Sequence, residues 1–213
     1  MKFQEFENKI VKITKLKLPG EVAQFKMAPM ERLVALKKIA IEKETVRKAG
    51  VLVLFYPSEA KQTMLALILR KTYKGVHSAQ IGFPGGKYEN EDTSLKETAL
   101  RETEEEIGVL RNTVSVLKKL TEVYIPPSNF FVQPYLGITK NTPNFILQEE
   151  EVETLIEVPL IHFMDDTIKI HQNLTTSYAK NIIVPAFLLN NYLVWGATAM
   201  MLNEVREMLK ELL

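Results

Sequence analysis

Residues 49–57 read AGVLVLFYP, an almost unbroken apolar run rich in branched and aromatic residues and stopped by proline. Such a run suits a buried β-strand, and residues 63–71, TMLALILRK, repeat the type. Buried strands need covering layers, and the two ends of the chain supply amphipathic helices. Phe3, Phe6, Ile10 and Ile13 recur at spacings of three and four, with Lys9 and Lys12 on the other face. At the far end Met201, Val205, Met208 and Leu212 form one stripe, with Leu202 and Leu209 beside it, as in a helix that packs on a core. Residues 120–125, 131–139 and 192–195 are further strand candidates, separated by turn sequences such as PPSN and NTPN. Pro19-Gly20 and Pro29 punctuate a connecting segment, and a second charged helical stretch runs from there to about Lys48. Strands in the middle flanked by helices describe an α/β or α+β sandwich. The expected division is a helical extension over residues 1–48, packed on a domain over residues 49–213.

Composition narrows the function. The 213 residues are 46% hydrophobic and 25% charged, as in an ordinary globular protein. A formal net charge of +1 provides no global field to recruit nucleic acid or an anionic membrane, so neither is expected as a partner. With no cysteine there is no thiolate nucleophile and no cysteine-based zinc site, so any metal chemistry is oxygen chemistry. Residues 1–18 carry charges every few positions and lack the apolar core of a signal peptide, and no stretch approaches a membrane span. The expected location is the cytoplasm.

The segment 84–108, PGGKYENEDTSLKETALRETEEEIG, carries the chemistry. Ser94 and Glu97 fit a capping box, so a helix is expected from 92–94 to Ile107, with Gly108 as its stop. Glu102, Glu105 and Glu106, related as i, i+3 and i+4, then share one face within about 100°. Three like charges on one face disfavour a helix unless a cation compensates, and Arg101 offsets only part of this by pairing with Glu105. A bare run of glutamates is more often a solvated face. Carboxylates one turn apart can instead hold Mg²⁺ or Mn²⁺ beside a substrate's phosphates, and Gly85-Gly86 lets backbone approach a phosphate closely.

These residues resemble the Nudix hydrolases. RETEEEIGV, residues 101–109, matches the second half of that family's box at every position except Thr103, where an aliphatic residue is usual. The first half departs. The family spacing puts Lys87 where a glycine belongs and Thr93 where a glutamate belongs, while Gly86 and Asp92 lie one position earlier. The loop is read as one residue longer, with Asp92 an imperfect substitute that is not assigned a metal role. LRKTYKGVHSAQIGFPGG, residues 69–86, resembles the segment before the box in coenzyme A pyrophosphatases, through Arg70, Lys74, His77, Gln80 and residues 83–86. Residues 124–137 and 194–202 are similar to later segments of that group.

The resemblance implies a Nudix-type α/β/α sandwich with a mixed central sheet, plus an extra N-terminal helix. It implies metal-dependent hydrolysis of the diphosphate of coenzyme A or an acyl derivative, with Mg²⁺ or Mn²⁺ as cofactor and a small nucleotide as substrate. ADP-ribose or a dinucleotide, or binding without turnover, are the alternatives. Glu102 and Glu106 become the expected metal ligands, with Glu105 a third ligand or the base that deprotonates water. Arg101 is expected to orient a glutamate, and Arg70, Lys74, His77, Gln80, Gly85 and Gly86 to meet the substrate. The basic group Arg70, Lys71 and Lys74 suits the diphosphate and ribose phosphate of coenzyme A. Glu149, Glu150 and Glu151 read as a charged loop or helix start, from which one side chain could enter the site as a base. A homodimer is left open, with the N-terminal helix the first element to inspect.

Overall fold

A computed structural model describes residues 1–38, 46–71, 80–175 and 181–213, with the backbone alone at 35–38. In chain order the helices are α1 (Phe3–Ile10), α2 (Gly20–Gln24), α3 (Met30–Lys38), α4 (Leu95–Ile107), α5 (Leu160–Met164) and α6 (Gly196–Leu212). The strands are β1 (Arg47–Pro57), β2 (Thr63–Arg70), β3 (Ile81–Gly82), β4 (Gly85–Lys87), β5 (Val114–Lys119), β6 (Val123–Ile125), β7 (Phe130–Thr139), β8 (Val152–Pro159), β9 (Lys169–Leu174), β10 (Ile182–Leu189) and β11 (Tyr192–Trp195).

Among the described residues, β1 to β8 form one mixed sheet ordered β3-β2-β1-β7-β5, with β4, β6 and β8 paired to β1, β7 and β2. The central β1–β7 pair is parallel, and the pairings around it are antiparallel. Alternation along β1 sorts its side chains to two faces. Leu52, Leu54 and Tyr56 pack with Ala99, Leu100 and Ile107 of α4. Val51, Val53 and Phe55 join a larger core with Phe3, Phe6 and Ile10 of α1 and Met201, Val205 and Met208 of α6. The sheet is thus covered on both faces, as the apolar run over residues 49–57 requires. A separate antiparallel group, β11-β10-β9, lies beside it. No helix among the described residues is long and apolar enough to cross a membrane.

One departure from regular pairing makes room for a site. β1 pairs with β2 only from Phe55↔Leu65 to Pro57↔Thr63. Below that level β1 pairs with β4, from Val51↔Gly85 to Ala49↔Lys87, while β2 continues with β3 and β8. The two strands part, and the gap lies between Arg70 at the end of β2 and the glycines of β4.

Several expectations are corrected. The charged stretch thought helical to about Lys48 contains α3, but Arg47 and Lys48 belong to β1, and residues 39–45 lie outside the described residues. The strand expected over 120–125 starts only at Val123, because Thr121 is drawn out of the ladder: its amide and hydroxyl both donate to the Glu204 carboxylate. That fully buried carboxylate also accepts from Gly20 N and from Gln24 Nε2 at 2.9 Å, which ties α2 to α6.

The N-terminal helix belongs to this core. Phe6 is fully buried, its ring 5.1 Å from that of Phe55 on β1. Phe6→Ala should cost about 3–5 kcal/mol, as for an aromatic removed from a core. Urea unfolding checks this; a loss below about 1 kcal/mol would mean that α1 is an appendage.

Candidate active site

Local signals position α4. Ser94 is extended and its Oγ accepts from Glu97 N at 3.3 Å, while Gly108, at φ 74°, ends the helix. The helix lies directly on the sheet at Gly50, where an added Cβ would stand 2.1 Å from Leu95 O. From there α4 crosses to β4 and brings its carboxylates to the glycines.

Glu102 rests against Gly86, where a Cβ would meet its carboxylate atoms at 2.3–2.5 Å, so a side chain there would displace the carboxylate from β4. Glu106, with its side chain 1% exposed, accepts from Gly85 N at 2.8 Å through Oε2. Its Oε1 lies 3.1 Å from Arg70 Nη2, an ion pair without hydrogen-bond alignment, so this oxygen is buried without a hydrogen-bond partner. Arg70 Nη2 also donates to Gly85 O, which closes a ring of contacts across the parted strands. Burial pushes the Glu106 carboxyl up to about 7, against the opposing pull of Arg70 and the Gly85 amide. Burial raises Glu102 as well, against the pull of Arg101.

Arg101 is the junction of the site. Its Nε donates to Asp92 Oδ1 at 2.9 Å and its Nη2 to Asp92 Oδ2 at 3.1 Å, a bidentate pair. The same guanidinium donates to Glu102 at 3.0 Å, to Glu105 at 2.9 Å and to Lys87 O at 3.3 Å. Asp92 Oδ2 further accepts from Glu89 N and from Thr98 Oγ1. The hydrogen bonds from Arg101 hold the Asp92 carboxyl far below the ordinary carboxylate range. Both Asp92 oxygens are occupied by donors, so this residue braces the long loop onto α4.

The expected trio is not gathered. Glu102 and Glu106 meet at β4, whereas the Glu105 side chain is 50% exposed and held by Arg101. Among the described residues no three His, Asp or Glu side chains are grouped closely enough to hold a metal ion. The two carboxylates do offer hard oxygen ligands, one of them the unbonded Glu106 Oε1, at a strand with no side chain to obstruct approach. This donor set fits Mg²⁺ or Mn²⁺. The Gly85 amide, expected to face a phosphate, is committed to Glu106. The Gln80 backbone carbonyl accepts from Arg70 N at the edge of the gap, and Lys74 and His77 lie outside the described residues.

The segment after β7 also reaches the site. Gln148 N donates to Glu106 O, Lys71 N donates to Glu151 O, and the charge of Glu151 raises the carboxyls of both Glu102 and Glu106. The sequence reads 149–151 as a charged loop or helix start from which one side chain could enter the site; what brings it here is β8 pairing with β2, which places Val152 opposite Arg70.

Residues 46–174 match the NUDIX domain family. The uncharacterized Nudix hydrolase NudL of Yersinia pestis is 32% identical over 168 residues, covering 76% of this chain and 80% of that protein. The peroxisomal coenzyme A diphosphatase of Caenorhabditis elegans is 26% identical over 174 residues, covering 81% of this chain and 73% of that protein. Among solved structures, the Nudix hydrolase RenU of M. smegmatis shares the fold, with a TM-score of 0.53 at 13% identity over 78% of this chain and 87% of that one. With the box on α4 and the family segment spanning more than half its length, this chain belongs to the Nudix hydrolases, enzymes of phosphorus-containing anhydrides that generally use divalent cations.

Proposed function

We propose that the protein hydrolyses the diphosphate of coenzyme A or an acyl-coenzyme A, giving adenosine 3′,5′-bisphosphate and (acyl)phosphopantetheine. The observation that carries this reading is the likeness to the C. elegans coenzyme A diphosphatase, whose 174 aligned residues extend past the family segment at 46–174. The residues before the box, Arg70, Gln80 and 83–86 above all, support the same subgroup.

In this reading Glu102 and Glu106 hold Mg²⁺ or Mn²⁺. A divalent cation bound there supplies charge neutralisation for the diphosphate oxygens and a water of lowered pKa. Arg101 fixes Glu102 and Glu105 through its hydrogen bonds, and Asp92 fixes Arg101. Arg70 stands across the gap, where its cation faces the negative charge that builds on the departing phosphate oxygen. Glu105, half exposed, takes the proton of the attacking water. That water adds to one phosphorus as the bridging P–O bond breaks, and the leaving phosphate keeps the bridging oxygen. Lys74 and His77 complete the substrate contacts.

Purified protein is to be given coenzyme A, acetyl-coenzyme A and ADP-ribose, each with Mg²⁺, Mn²⁺ or chelator, and the products resolved by chromatography. Cleavage of both coenzyme A species and its loss in chelator are expected; intact coenzyme A beside cleaved ADP-ribose sinks the reading. Glu106→Gln should lower kcat at least about 100-fold in a folded protein; near-normal turnover would remove it as a ligand.

Glu106 also sets a pH signature. A buried carboxyl whose folded pKa is raised from 4.5 to about 7 stabilises the fold below the lower value, and this contribution is lost as pH rises through the higher one. In chelator, wild type should lose on the order of 3 kcal/mol between about pH 4.5 and 7 relative to Glu106→Gln. Thermal unfolding at each pH compares the two. Mn²⁺ should raise the wild-type Tm more at pH 8 than at pH 5, since protons compete for the same oxygen; equal shifts would argue against Glu106 as the binding group.

A further inference from the structure

Arg101 and Arg70 both serve the carboxylates of α4, and they are held differently. Arg101 is fixed by its bidentate pair with Asp92 and by further hydrogen bonds to Glu102, Glu105 and Lys87 O. Arg70 lies on the other wall of the gap, at the last position of β2. Its Nη2 donates to Gly85 O and forms the ion pair with Glu106. That pair is close, at 3.1 Å, yet it lacks hydrogen-bond alignment and leaves Glu106 Oε1 buried with no hydrogen-bond partner. The Arg70 side chain is 24% exposed against 1% for Glu106, so the guanidinium borders solvent while the carboxylate does not.

The oxygen that Arg70 faces is thus the one left open to a metal ion. An aligned, charge-assisted hydrogen bond would commit that oxygen to the guanidinium. The unaligned pair balances its charge and leaves its lone pairs unused. A buried carboxylate needs such a balance, and in the free protein Arg70 supplies it. A divalent cation at Oε1 would take over this role and meet a guanidinium nitrogen 3.1 Å from the same oxygen. Like charges so close in a nearly dry position repel strongly. Glu106 and Arg70 together are neutral, so a divalent cation alone leaves them doubly positive, whereas a diphosphate diester, doubly negative, restores neutrality. Arg70 is carried by β2 and Glu106 by α4, so the guanidinium can turn from the carboxylate without breaking the bond from Gly85 N to Glu106. Once turned, its planar fork of donors suits a phosphate.

We propose that Arg70 holds the cation's place in the free protein: it opposes divalent-metal binding at Glu106 and leaves that carboxylate for the diphosphate when metal and substrate are both bound. Metal and substrate then bind cooperatively, and Arg70 contributes to the coupling. This rests on the reading of Glu106 as a metal ligand and names the residue that regulates it.

Mn²⁺ binding, followed by electron paramagnetic resonance, tests this without turnover. It is measured at about pH 8.5, where protons compete least for Glu106, with and without α,β-methylene-ADP, a diphosphate that is not cleaved between its phosphorus atoms. Without nucleotide, Arg70→Gln should bind Mn²⁺ about tenfold more tightly than wild type, and Arg70→Met, a second neutral variant, should shift the same way. Arg70→Lys keeps the charge and should stay within about twofold of wild type. Saturating nucleotide should tighten Mn²⁺ binding by wild type about tenfold more than by Arg70→Gln, since coupling between two ligands is reciprocal. If the neutral variants bind Mn²⁺ no better than wild type while Glu106→Gln has lost it, the role of Arg70 is overturned and Glu106 remains a ligand. If Glu106→Gln binds Mn²⁺ as wild type does, the ligand reading itself falls, and the role of Arg70 with it.

Discussion

Arg101 is the contact on which the site's order depends. One guanidinium reaches the loop through Asp92 and Lys87 O, and the helix face through Glu102 and Glu105. Without it, two partly or wholly buried carboxylates would face one another across a glycine strand with Arg70 alone to balance them. A helix with such a concentration of negative charge is tolerable because the cation is delivered from its own first half and anchored by a buried aspartate. The loop before α4 is held in this arrangement by Asp92, which reaches Arg101 and also ties down Glu89 N and Thr98.

The carboxylates and glycines are matched in shape as well as charge. Gly50 lets α4 sit on the backbone of β1, and Gly86 lets Glu102 reach β4. A side chain at Gly50 would push the helix from the sheet, and one at Gly86 would displace the Glu102 carboxylate from β4. Glu106 then enters a nearly dry position at Gly85, where its charge is costly alone and well placed for a cation.

Local signals made part of this legible. The start and stop of α4 follow from Ser94, Glu97 and Gly108, and the apolar stripes of α1 and α6 mark faces that are buried in the structure. The strands at 49–57 and 63–71 were legible because they are apolar almost throughout. β5, β8 and β9 were not, since their short runs mix polar and apolar residues, and neither was β10, whose apolar run is interrupted by Pro185. At the site, helical spacing gathered Glu102, Glu105 and Glu106 on one face, but a face has width. Glu106 sits beside Thr103 and Ile107 and turns inward, Glu105 turns to Arg101 and solvent, and Glu102 stays between them. Spacing gives the angle between side chains, and packing decides which side of that angle is dry.

The parting of β1 and β2 gives the two walls of the gap different lineages within the sheet. Glu102, Glu106 and the glycines are carried by α4 and β4 on β1, while Arg70 and the neighbourhood of Glu151 ride on β2 and β8. Polar contact between the walls runs from Arg70 to Gly85 and Glu106, and beneath it Ile68 of β2 and Val152 of β8 share one buried cluster with Ala99, Leu100 and Ile107 of α4. Because the two walls share that close-packed cluster, a change of side-chain volume on β2 or β8 is passed to α4, so what replaces a residue on one wall is constrained by the carboxylates on the other.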